Sequence, residues 1–304
     1  MAHRFTGLVA PPFTPMHPDG SVNLPMIDKL AQALVADGIT AVYPCGASGE
    51  SLSLSVDERM AIVERWQSVA GDALPVIAHV GHLVLSDTKA MAAHAQRTGV
   101  SAIAAIPPCF FRPSRLEEMV AWYAEISTAA PDLPLYIYHI PVRTGVAFPM
   151  LDFFQAATPH VPTLAGVKFS YDDFRDLRQT VAFDGGRLNV LFGREEMLLS
   201  GLITGVDGSI STGYNFAAPL YHRILDAYKA GDIATAQAEQ LRSANLVAIL
   251  KKHGFFLKYV MKMLGLDCGP LRLPMRNPTP DECQAVRADL EAFGFFDDCA
   301  GGGA

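Results

Sequence analysis

Eight short apolar runs, each separated from the next by a longer segment, constrain this chain more than any other feature of its sequence. They are Gly7 to Ala10, Thr40 to Pro44, Pro75 to Val80, Ser101 to Ile106, Leu133 to Ile140, Leu164 to Phe169, Leu188 to Phe192 and Gly208 to Ser211. Such runs suit strands buried on both faces. The segments between them repeat apolar residues at helical spacing, as in Asn23 to Asp37, Ser55 to Val69, Ser86 to Thr98 and Leu116 to Ala129. Strands that recur about every 30 residues with single helices between them are βαβ units. Eight such units predict an α/β fold, a closed (β/α)8 TIM barrel. The alternative, an open doubly wound sheet, needs a GxGxxG phosphate turn after an early strand, and the sequence has none.

Local signals set the boundaries. Ser55-Val56-Asp57-Glu58 is a capping box, and Ser86-Asp87 opens the third helix. Pro11-Pro12, Pro107-Pro108 and Pro141 follow strand runs and shape loops at their carboxyl ends. In a barrel that face carries the chemistry. The barrel is expected over residues 1–230, its last helix running from Pro219 to Lys229. Residues 231–304 exceed a barrel's needs, and helical patterns at Ile233 to Lys252, Phe255 to Leu264 and Pro280 to Phe293 predict a C-terminal helical extension. Gly301 to Ala304 is expected to be a disordered tail.

Composition narrows the partners. Half of the 304 residues are hydrophobic, enough for one large core. A net charge of −7 without any basic run argues against nucleic acid or an anionic membrane and leaves a small molecule. No apolar stretch reaches the ~18 residues of a membrane span, and Met1-Ala2-His3-Arg4-Phe5 leads into no signal-peptide core, so a cytoplasmic protein is expected. Cys45, Cys109, Cys268, Cys283 and Cys299 show no CxxC and no metal-finger spacing, and their odd number reads as free thiols. Cys45 and Cys109 end apolar runs, where a buried structural role is commoner than a place in a site.

The residue that stands out is Lys168, near the end of the apolar run Leu164 to Phe169. A buried ammonium loses hydration and its pKa falls, which makes it an amine able to attack a ketone and form a Schiff base. A lysine that snorkels to solvent is the plainer reading. Other strand ends deliver polar groups to the same face. Gly46-Ala47-Ser48-Gly49 lets backbone N–H groups and the Ser48 hydroxyl converge on an anion. Tyr138 closes the fifth run, Gly193-Arg194-Glu195-Glu196 follows the seventh, and Ser211-Thr212-Gly213-Tyr214-Asn215 makes a hydroxyl-rich loop suited to a polyol. Each has a structural reading too: a common turn, a core aromatic, carboxylates that open a helix. Together they surround one mouth with what a Schiff-base enzyme acting on 2-oxo acids requires. His79, His82 and Glu50 lack a third ligand at helical or turn spacing, so no metal is expected.

These residues carry a family likeness. The segments Gly7 through Pro15, Gly46 to Glu50, Ile77 to Gly81, Tyr138 to Pro141 with Thr144-Gly145-Val146, Gly166 to Ser170 and Gly205 to Asn215 follow one pattern in order and spacing. Over almost its whole length the chain resembles the N-acetylneuraminate lyase and dihydrodipicolinate synthase family of class I aldolases. The resemblance implies a (β/α)8 barrel with a C-terminal helical extension, no cofactor, and usually a homotetramer. It implies that Lys168 forms the Schiff base with the pyruvate part of a 2-oxo acid and that Tyr138 is the acid/base. Within the family the likeness is strongest to N-acetylneuraminate lyases, which share Tyr-His-Ile-Pro and Gly-Leu-Lys-Phe-Ser, and Pro270 to Pro274 is similar too. Ala47 and Ser48 then face the substrate carboxylate, and Gly193, Glu195, Glu196 and Thr212 the sugar.

Four positions depart from the pattern. Ala47 replaces a hydroxyl that relays protons to the tyrosine, and Phe110 replaces a relay tyrosine of synthases and bacterial lyases. Glu195 is one methylene longer than the lyases' aspartate. Arg143 stands where synthases carry an arginine that grips a substrate carboxylate. The expected reaction is cleavage of a 2-oxo-3-deoxy sugar acid, N-acetylneuraminate first, to pyruvate and an aldehyde. A 2-oxo sugar acid dehydratase, a dihydrodipicolinate synthase and a non-enzymatic, pyruvate-liganded sensor remain alternatives. If Arg143 does not reach substrate, it is expected to pair with Glu195 or Glu196.

Overall fold

The computed structural model describes residues 4–301. The expected barrel is present. Its strands are β1 (Gly7–Ala10), β2 (Ala41–Val42), β3 (Ile77–His79), β4 (Ala102–Ala105), β5 (Leu135–His139), β6 (Leu164–Phe169), β7 (Asn189–Phe192) and β8 (Gly208–Ile210). All pairings are parallel, in the order β2-β1-β8-β7-β6-β5-β4-β3. A single parallel bridge, Val42 to Val76, joins the two ends of the sheet, where the Val42 N–H donates to the Pro75 carbonyl at 3.0 Å. β1 and β6 match their apolar runs, and the other strands are one to three residues shorter.

Alternation along each strand sorts side chains into two layers. In β5, Leu135 and Ile137 pack outward under the helices, whereas Tyr136 and Tyr138 join Val9, Ala41, Tyr43, Ala102, Ala104 and Leu191 inside the barrel. The alanines of β4 leave that interior room for the three tyrosines. The helices begin near their expected starts. Met26–Ala36, Val56–Ala70, Leu85–Thr98 and Leu116–Ala129 cover the first four units, and the capping box at Ser55 and Glu58 forms as read. The later barrel helices Met150–Ala157, Phe174–Ala182 and Leu198–Thr204 are shorter, and their pattern is too brief to stand out in sequence.

After Ala218–Lys229 the chain adds the helices Ile233–Lys252, Leu257–Met263 and Pro280–Ala292. The Gln240 amide and the Ser243 hydroxyl of the first of these donate to the Glu195 carbonyl, at 3.1 and 3.0 Å. Of the expected disordered tail, Gly301 donates its N–H to the Phe216 carbonyl at 3.0 Å, and Gly302 to Ala304 lie outside the described residues. No helix among the described residues is long and apolar enough to cross a membrane.

Candidate active site

Strand register places the key pair. Tyr138 of β5 sits directly beside Lys168 of β6, and Lys168 beside Leu191 of β7. Both side chains point into the barrel near its carboxyl end. Lys168 is 4 % exposed, and its Nζ lies 4.1 Å from the centre of the Tyr138 ring and 4.5 Å from that of Tyr43. Burial pushes its pKa down to about 7, against the opposing pull of Glu195. An amine so held is substantially unprotonated at neutral pH and can add to a carbonyl.

Above this pair opens a cavity of about 880 Å³. Ala47, Ser48, Tyr138, Arg143, Lys168, Gly193, Glu195, Glu196 and Thr212, the residues expected from sequence, all line it. Ser48 and Thr212 share a hydrogen bond of 2.7 Å between their hydroxyls, which joins the loop after β2 to the loop after β8. The Gly46 to Gly49 turn is flanked by two left-handed residues, Cys45 at φ 60° and Glu50 at φ 61°. For L-residues that conformation costs roughly 1–2 kcal/mol. The turn persists because its surroundings hold it: the Thr14 hydroxyl donates to the Gly49 carbonyl at 2.7 Å, and the Gly49 N–H to the Gly46 carbonyl at 3.1 Å.

Tyr138 is buried, and burial raises its pKa to about 12 while Arg143 and the Ser170 hydroxyl pull the other way. Ser170 was not singled out in the sequence, although it stands two positions past Lys168, the spacing that puts strand residues on one face. Its hydroxyl fills the space where a side chain at Gly193 would begin: a Cβ there would meet Ser170 Oγ at 1.8 Å. Tyr43 was missed as well, and its ring forms an edge-on pair with Tyr138 at 5.8 Å between centres.

The carboxylates at the mouth behave differently from one another. Glu195 is buried and its pKa rises to about 7, from burial first and the neighbouring Glu196 second. It accepts the Gly213 N–H at 3.1 Å. Glu196 pairs with Arg194 at 3.2 Å and Lys251 at 3.6 Å. Neither glutamate pairs with Arg143, so the expected internal ion pair is absent. Arg143 sits on the helical turn Pro141–Thr144, exposed, with no ion pair among the described residues.

Phe110 does not line the cavity and is 75 % exposed, next to Phe111 at 85 %. His79 ends β3, with its ring Nδ1 near Ser51 at 3.3 Å and Arg59 at 3.2 Å, and burial holds it neutral. Glu50 pairs elsewhere, and among the described residues no cluster of three or more His, Cys, Asp or Glu is suited to a metal ion. Cys45 is buried and Cys109 half-buried, and neither lines the cavity.

Comparison with known proteins agrees with this architecture. The N-acetylneuraminate lyase of Rattus norvegicus is 33 % identical over 300 residues, covering 96 % of this chain and 94 % of that protein. The solved N-acetylneuraminate lyase of Proteus mirabilis superposes with a TM-score of 0.93 at 33 % identity, covering 96 % of this chain and all of the other. A Ruminococcus gnavus sialic acid aldolase, solved as a catalytic lysine mutant, superposes with a TM-score of 0.89 at 26 % identity, covering 96 % of this chain and 97 % of that one. Residues 4–293 match the Dihydrodipicolinate synthetase family, and the chain belongs to it.

Proposed function

We propose that this protein is a class I aldolase, a carbon–carbon lyase that cleaves N-acetylneuraminate to pyruvate and N-acetylmannosamine through a Schiff base on Lys168. The observation that carries the reading is the buried Lys168 amine, its pKa lowered to about 7, against Tyr138 at the floor of the cavity. The likeness to N-acetylneuraminate lyases over nearly the whole chain supports the substrate. The catalytic lysine of the Ruminococcus gnavus relative supports the chemistry.

In this reading the Lys168 amine adds to the C2 ketone and water leaves, giving an iminium. Ser48 and the N–H groups of its turn hold the carboxylate. As the C3–C4 bond breaks, its electron pair moves into the iminium and leaves an enamine. A phenol with a pKa of about 12 is protonated at neutral pH, so Tyr138 takes the C4 hydroxyl proton only as it surrenders its own. The net proton passes from the C4 hydroxyl to C3, and water then releases pyruvate and the amine. Ala47 offers no hydroxyl on this path, and Ser170, beside Tyr138, takes that place. Glu195, Glu196 and Thr212 face the sugar hydroxyls across Gly193, and the reaction uses no cofactor. The working unit is a homotetramer, a reading that the exposed pair Phe110 and Phe111 supports.

The test is borohydride reduction with pyruvate followed by intact mass and peptide mapping. One pyruvyl adduct is expected, on Lys168. An adduct on Lys258 or Lys262, or none, would sink the assignment.

A second reading rests on Arg143, which pairs with no carboxylate among the described residues and stands at the mouth. A free guanidinium there favours a substrate with a second acid group. If it grips one, Arg143→Leu lowers kcat/KM for a diacid by roughly 10-fold or more and leaves N-acetylneuraminate cleavage unchanged. Equal losses on both substrates would assign Arg143 to the loop alone.

A further inference from the structure

Glu50 is a buried carboxylate on a left-handed backbone, at the end of the turn that cradles the substrate's acid group in the reading above. Its backbone is bonded locally, with the Ser53 N–H donating to the Glu50 carbonyl at 2.7 Å, but its carboxylate is not. The partners of its carboxylate come from the C-terminal extension. Lys258, itself buried, places its ammonium 2.5 Å from Oε1, and the Arg272 N–H donates to Oε2 at 3.0 Å. Each partner is fixed in turn. Lys258 Nζ also donates to the Pro270 carbonyl at 2.9 Å. The Arg272 guanidinium pairs with Glu58 and donates to the carbonyls of Gly20 and Ser53.

Glu50 and Lys258 line the same cavity as Ala47, Ser48 and Lys168. The Glu50 N–H donates back to the Ala47 carbonyl at 3.2 Å, so a shift at Glu50 moves the residues that face the carboxylate. A left-handed residue with no steric need for it persists when surrounding contacts over-determine it. Here those contacts include, beside the local backbone bonds to Ala47 and Ser53, one ion pair and one backbone hydrogen bond from a segment more than 200 positions away.

We propose that Glu50 and Lys258 are positioning residues: the extension clamps the Glu50 carboxylate and so sets the shape of the Gly46 to Gly49 turn for binding a 2-oxo acid carboxylate. The ion pair does not touch the reacting atoms. Its loss loosens carboxylate binding and leaves the amine chemistry of Lys168 intact. The proposal rests on the Schiff-base reading, because that reading puts the carboxylate at this turn.

The experiment measures borohydride trapping of pyruvate by intact mass as a function of pyruvate concentration. Wild type is compared with Glu50→Gln, Lys258→Met, the double variant and Glu50→Gly, each checked for near-ultraviolet circular dichroism. Glu50→Gln and Lys258→Met are each expected to raise the half-saturating pyruvate concentration about 10-fold, with the trapping rate at saturation within about twofold of wild type. The double variant is expected to match the singles, because all three break one pair. It leaves no lone buried charge, so it reads the same quantity if the singles unfold. Unchanged half-saturation in the folded variants overturns the clamp, and so do equal losses in saturation and rate. Wild-type saturation in Glu50→Gly, which accepts the left-handed backbone without a carboxylate, also overturns it. Absence of any adduct on wild type overturns the Schiff-base reading and the clamp together.

Discussion

Lys168 and Glu195 are two buried ionisable groups poised near pH 7 for opposite reasons, since burial lowers the amine and raises the acid. Each acts on the other. The Glu195 charge favours the Lys168 ammonium, so Glu195→Gln is expected to lower the Lys168 pKa below about 7. The acid limb of pyruvate trapping then moves to lower pH, by roughly half a unit or more. A limb that stays or moves up would show that Glu195 does not set the amine. Lys168 was legible in sequence because a lysine inside an apolar run is costly unless used. Ser170 and Tyr43 were not, because a serine past a strand end and a tyrosine in an apolar run are ordinary until a neighbour gives them meaning.

At the scale of strands and loops, the site is a set of close approaches between strand ends that come from different units. β6 and β7 meet where Gly193 leaves room for the Ser170 hydroxyl. Gly193→Ala is therefore expected to displace Ser170 and lower kcat/KM about 10-fold, with a loss of melting temperature as well. Adding Ser170→Gly removes the nearest obstruction and is expected to restore the melting temperature without restoring activity. A Gly193→Ala enzyme with wild-type kinetics would show that the loop gives way easily. The strands, the first four helices and the capping box at Ser55 were readable because periodicity and caps are local. The short helices after β5, β6 and β7 were not, since two turns of helix carry too little pattern. The fate of Arg143 was also beyond sequence. Arg194 and Lys251 engage Glu196, and the Gly213 N–H engages Glu195, contacts that no local pattern announces.

The whole molecule pays in stability for its buried amine. With a folded pKa near 7 against 10.5 for the free side chain, Lys168 binds fewer protons in the native state between those values. Stability from this group therefore rises with pH above about 7, and its penalty is complete below it. Lys168→Met is expected to raise the melting temperature by about 5 °C or more at pH 6, with the gain shrinking toward pH 10. A gain that is flat with pH would mean that packing, and not the charge, is responsible. The barrel as a whole was legible from its eightfold alternation, but the role of the extension was not. Its contacts to Glu50 and Glu195 join residues that nothing local connects. They also bear on synthesis. Glu50 is made 222 positions before Arg272, and the last barrel helix ends at Lys229, so the barrel's own chain is complete before that partner is made. Termination between Lys229 and Lys258 is expected to leave a barrel whose mouth has never been locked.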